Sequence, residues 1–62
     1  MRIRGIADGR VYWWAANGWT DDESKAKRHT ASEADRQLRI INANNRFLDR
    51  DERMEAAIVE SN

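Results

Sequence analysis

The chain has 62 residues, no cysteine, no proline, and equal numbers of basic and acidic side chains, 11 of each. A domain of about 60 residues buries only about 60% of the surface its unfolded chain exposes, and without cysteine neither disulfides nor cysteine-based zinc sites can reinforce it. A formal net charge of zero speaks against a dedicated nucleic-acid binder, whose footprint is a net basic domain.

One small domain over 1–62 is expected. The opening "MRIRGIADGR" has no apolar run of the signal-peptide kind. No apolar stretch approaches the roughly 18–20 residues needed to span a bilayer. A cytoplasmic protein with no membrane partner is therefore expected. Residues 2–7 and 10–16 flank Asp8-Gly9. That dipeptide between β-prone runs predicts a hairpin, because a type I′ turn needs positive φ at both central positions. In a strict period of two, Ile3 and Ile6 fall on opposite faces unless Gly5 marks a bulge. Asn17-Gly18 predicts a second turn.

The stretch "RVYWWAANGW" holds all three tryptophans and the only tyrosine. Strand alternation puts Tyr12 and Trp14 on one side and Val11 and Trp13 on the other. Only one helix is expected to cover this strand. Either all three tryptophans pack into the core of so small a chain, or one set of rings builds the core and at least one ring of the other set stays exposed for a partner. Tyr and Trp are enriched at binding hot spots.

Thr20/Glu23 and Thr30/Glu33 both have capping-box spacing. They stand ten residues apart, too close for two long helices. The first predicts a single turn over 21–26, followed by an extended segment over 27–30. The second opens the main helix over 31–43. Ala34, Leu38 and Ile41 form its apolar stripe, and Asn44-Asn45 ends it in a left-handed residue. Residues 46–53 read as a mixed-charge loop. The last segment is either a second helix, which propensity favours, or a strand over 54–60.

The remaining constellations point to surface chemistry. Lys25, Lys27 and Arg28 form a basic run with His29, and Arg36 and Arg39 stand at i,i+3 on the helix. Together with Tyr12 and Trp14 these are the candidate partner-binding residues. Asp21, Asp22 and Glu23 lack the glycine and the distal glutamate of a calcium loop; helix capping accounts for them. His29 has no cysteine or serine partner for nucleophilic chemistry, and one histidine makes no metal site. No cofactor, metal or enzymatic activity is expected.

The run "VYWWAANGWTDDESKAKRHTASEADRQL" resembles a pattern in small uncharacterised proteins encoded by phages and prophages. In these an aromatic hairpin leads to a "GWT" turn, an "SKAK" stretch, a Thr cap and a helix opening "EA". The matching residues here are Gly18, Trp19, Thr20, Ser24, Lys25, Ala26, Lys27, Thr30, Glu33 and Ala34. This sequence departs from the pattern at His29, where an aromatic core residue is expected. The resemblance implies an α+β fold of order β-β-β-α-β, a small antiparallel sheet with one helix on one face. "AAIVES" would be the closing strand. It also implies a mobile-element context and no assigned activity; by analogy of size and context with other small phage proteins, an accessory protein that binds a host protein or complex is expected, in its sharpest form an inhibitor of defence machinery of the anti-CRISPR type. Two further readings stay open. One is a nucleic-acid module using Tyr12, Trp14, Lys25, Lys27 and Arg28. The other is a homo-oligomer joined through its open sheet face.

Overall fold

A computed structural model describes residues 1–60. Four antiparallel strands form one sheet: β1 (Arg2–Ala7), β2 (Arg10–Ala15), β3 (Gly18–Thr20) and β4 (Glu55–Val59), in the order β3-β2-β1-β4. A single α-helix, α1 (Ala31–Asn45), packs on β4 and β1. The fold is therefore the α+β arrangement expected, and the last segment is a strand. Ser61, the end of the "AAIVES" match, lies outside the described residues.

Asp8 and Gly9 have φ of 51° and 73°, the two left-handed residues that a type I′ turn demands. The second turn differs from expectation. Ala15 pairs with Gly18, so Ala16 and Asn17 are its central residues. Gly18 carries the positive φ, 120°. No bulge interrupts β1, whose register to β2 runs unbroken from Arg4↔Trp13 to Ala7↔Arg10. Ile3 and Ile6 do point to opposite faces.

Gly5 has a different reason to be glycine. A Cβ there would stand 2.6 Å from Sδ of Met54 and 2.8 Å from Cη2 of Trp19, and closer still to Cγ of Met54. The missing side chain lets both groups lie flat on the sheet. Since directly paired residues share a face, the Gly5↔Tyr12, Gly5↔Ala56, Ile3↔Ile58 and Trp14↔Trp19 pairs define the helix-covered side. Ile3 is 0% exposed, and Ala34 and Ile41 of α1 are buried with it. Leu38, expected in the core, is only half-buried.

Thr30 caps α1, its Oγ1 accepting from the Glu33 amide at 3.2 Å. The other capping box does not form. Asp22 caps a 3-10 turn over Glu23–Lys25 instead, accepting from the Ser24 amide and hydroxyl. Thr20 accepts from the Asp22 amide. At its far end α1 has no left-handed residue. Its last carbonyls, from Ala43 to Asn45, accept i+3 bonds from Arg46, Phe47 and Leu48. Asn45 instead ties the helix end to the closing strand. Its side chain donates to the Met54 carbonyl at 2.8 Å and accepts from the Met54 amide at 3.3 Å.

Residues 27–29 belong to no helix or strand, and bond both to β2 and to Met1, the residue before β1. The Lys27 amide donates to the Trp14 carbonyl, and His29 and Met1 exchange bonds of 2.7 and 2.6 Å. This wedge carries His29 into the interior, 8% exposed, with Nε2 lacking a hydrogen-bond partner. The departure from the aromatic pattern thus still fills a buried position. Burial is the main cause holding the imidazole pKa below its usual 6.5. The Lys27 ammonium adds to the effect, Glu33 opposes it, and the Met1 ammonium adds a smaller share.

A group whose folded pKa is depressed stabilises the fold fully above its unfolded pKa. That stability is lost as the pH falls towards the folded value, because only the unfolded chain takes up the proton. Urea unfolding midpoints should therefore drop between pH 7.5 and pH 5.5. In His29→Phe the drop should shrink. An equal drop in both proteins would remove His29 as its source.

Candidate protein-binding face

The helix covers one side of the sheet, and the register spells out what the other side presents. One row across it reads Thr20, Trp13, Arg4, Ala57; the next reads Val11, Ile6, Glu55; a third pairs Arg2 with Val59. Val11 is 46% exposed. Trp13, Ile6 and Val59 are half-buried, with Ala57 open beside them. The Arg2 guanidinium lies over the Trp13 ring, 4.6 Å from its centroid, in the geometry of a cation–π contact. Its Nη1 also donates to Glu23 at 3.0 Å, which ties the 3-10 turn to the rim of this face. Arg4 sits mid-row between Trp13 and Ala57 with no ion-pair partner among the described residues.

This arrangement corrects the expected site. Tyr12 and Trp14 lie on the helix-covered side, so the ring turned away from the helix is Trp13. Periodicity groups the side chains of a strand but does not say which group meets the helix. All four rings, Tyr12, Trp13, Trp14 and Trp19, are half-buried. None has the broad exposure expected of at least one of them. Trp14 and Trp19 meet edge to face, with centroids 5.1 Å apart and planes at 70°, a favoured aromatic geometry. They line a cleft of about 230 Å³ with Ile41 and Leu48.

The basic candidates are not drawn onto the Trp13 face. Lys25, Lys27 and Arg28 are exposed along the turn and the wedge, and Arg36 is exposed on α1. Arg39 pairs with Asp35 at 3.0 Å in an exposed i,i+4 contact, of the kind that contributes a few tenths of a kcal/mol.

Sequence reasoning missed Ile6, Arg2, Arg4 and Val59 as members of one face. The signal was present in the same alternation that grouped Val11 with Trp13. It also missed Phe47, which the 3-10 unwinding after α1 leaves 88% exposed beside Arg46. A lone aromatic in a polar loop gives no periodic cue to its exposure.

Among the described residues no three histidine or carboxylate side chains come together as metal ligands. No helix among them is long and apolar enough to cross a membrane. No family model, curated protein or solved structure matches the chain.

Proposed function

We propose that the chain is a protein-binding accessory module that docks on its target through the helix-free face of the sheet. The observation that carries this reading is the Trp13–Arg2 stack on that face, bordered by exposed Val11 and by Ile6 and Val59. Trp and Arg are among the residues most enriched at hot spots. The two arginines lie among apolar side chains, and Arg4 has no carboxylate of its own among the described residues. The complementary partner is a protein surface with an acidic group beside an apolar patch. The resemblance to phage and prophage proteins supplies the sharper form: an inhibitor of a bacterial defence complex of the CRISPR type.

The test is phage plating on cells whose CRISPR system targets that phage, with purified effector complex for binding. Expression of the chain should restore plating. Trp13→Ala should stay folded by circular dichroism and weaken binding about 30-fold, the equivalent of about 2 kcal/mol. Folded Trp13→Ala that inhibits as well as the parent would overturn the assigned face. Binding to a plain oligonucleotide that falls steeply with salt, and depends on Lys25, Lys27 and Arg28, would overturn the protein-partner reading itself.

A further inference from the structure

The outer edge of β4 is the second unsatisfied surface of the fold. In a two-residue hairpin the residues flanking the turn, here Ala7 and Arg10, bond to each other. The odd-numbered residues of β1 therefore bond towards β2, and Arg2, Arg4 and Ile6 bond towards β4. Their partners Val59, Ala57 and Glu55 spend their backbone groups inward. Met54, Ala56 and Ile58 turn theirs outward. Met54 is satisfied by the Asn45 side chain. No hydrogen bond among the described residues engages the outward groups of Ala56 and Ile58. The strand reads EAAIV, with no lysine, proline or bulge of the kind that protects a sheet edge.

We infer that this edge pairs with the same edge of a second copy, antiparallel, about a two-fold axis through Ala57. In that register Ala56 exchanges both backbone bonds with Ile58 of the other copy, and the reverse, which satisfies the open groups of Ala56 and Ile58. Ala57 meets its own counterpart in the close, non-hydrogen-bonded pair, where a small side chain fits best. Glu55 falls opposite Val59 and Glu60 opposite Met54, so no like charges face each other. Asn45, already holding Met54, ends the ladder at both sides.

The helix agrees with this axis. Leu38 precedes Asn45 by seven residues, about 10.5 Å of helix at 1.5 Å per residue. Ala57 follows Met54 by three, about 10 Å of strand at 3.3 Å per residue. The helix ends at Asn45 against Met54 and begins just after His29, which is held against Met1 beside the Arg2↔Val59 pair, so it runs back along β4 and Leu38 stands level with Ala57. It also lies one turn before Asn42, about 120° round the helix from Asn44, which lines the Trp14–Trp19 cleft together with Ile41, Asn45 and Leu48. Across the two-fold, Leu38 meets Leu38 of the other copy. A helix seated over the seam of β4 and β1 then stands about 10 Å from its mate, within the usual packing range. This gives the half-buried Leu38 a purpose that the monomer does not. The eight strands run β3-β2-β1-β4-β4-β1-β2-β3, and both Trp13 faces stay on one side.

The chain lacks cysteine, so single introduced thiols report the contact directly. Ala57→Cys should oxidise to a disulfide-linked dimer at least tenfold faster than Asp21→Cys, a surface control. Glu55→Cys alone should not crosslink, whereas a mixture of Glu55→Cys and Val59→Cys should. Sedimentation of the parent chain should show a concentration-dependent dimer. Ala57→Lys, which sets two ammonium groups face to face, should weaken that dimer at least tenfold. A parent chain that sediments as a monomer up to millimolar concentration would overturn the inference. So would crosslinking through Val11→Cys in place of Ala57→Cys, the signature of pairing through the open face.

Discussion

Ile3→Ala should leave most of the chain unfolded at room temperature. Among the described residues Ile3 is the one large side chain that is fully buried. It sits on the helix side of a central strand, paired with Ile58 across the β1–β4 ladder. Truncating an isoleucine to alanine costs about 2–5 kcal/mol in comparable sites, part in lost transfer energy and part in the cavity left behind. A core of this size supplies a net stability of only about 3–5 kcal/mol. The loss therefore rivals the whole. Urea titration followed by tryptophan fluorescence should give a midpoint near zero denaturant. A midpoint close to the parent's would mean that the core does not centre on Ile3.

Gly5→Val should be comparably damaging by the opposite route. The backbone at Gly5 is ordinary strand, so the effect is one of space. The first added carbon already overlaps Met54 and the Trp19 ring, and valine adds two more. Overpacking typically costs about 1–3 kcal/mol and occasionally more. Trp19 cannot retreat freely, because its ring is braced against Trp14. The cause can be isolated with Gly5→Ala, whose effect should be smaller but of the same origin. Met54→Ala alone should destabilise, yet in the Gly5→Ala background it should restore part of the lost stability. Additive effects in that double-mutant cycle would show that the glycine matters for some reason other than the overlap.

These two positions also mark how far the sequence could be read. The Asp8-Gly9 hairpin and the Thr30 cap were legible because each depends on neighbours within four residues. Gly5 looked like a bulge because its real constraint comes from Met54, 49 positions away, and from a ring on another strand. The closing strand shows the same division. Local propensity favoured helix in "RDERMEAA", and the tertiary pairing of Ala56 and Ile58 with β1 prevailed. The candidate site was half legible. Alternation grouped Val11 with Trp13 and Tyr12 with Trp14, but the sign of the grouping is set by where α1 lands. Leu38 fits the apolar stripe, yet lies towards the edge of the sheet rather than over its middle. His29 read as a departure from pattern because a histidine's burial is decided by the segment that carries it. That segment is held by backbone bonds to Met1 and Trp14, which no side-chain pattern encodes.

The pairing of Arg2 with Val59 has a mechanical consequence. The first and last strands are adjacent and antiparallel, so the two ends of the described chain leave the sheet side by side. A pull applied between them loads the β1–β4 ladder one bonded pair at a time, as a zipper is opened. A shear geometry would instead load every pair together. Held by its ends, the domain should therefore open at low force, shedding β4 while the hairpins of β1, β2 and β3 are still intact. Gripped instead through the Asp8-Gly9 turn and the end of β4, β1 would be drawn lengthwise against β4, and the same ladder should resist far more strongly.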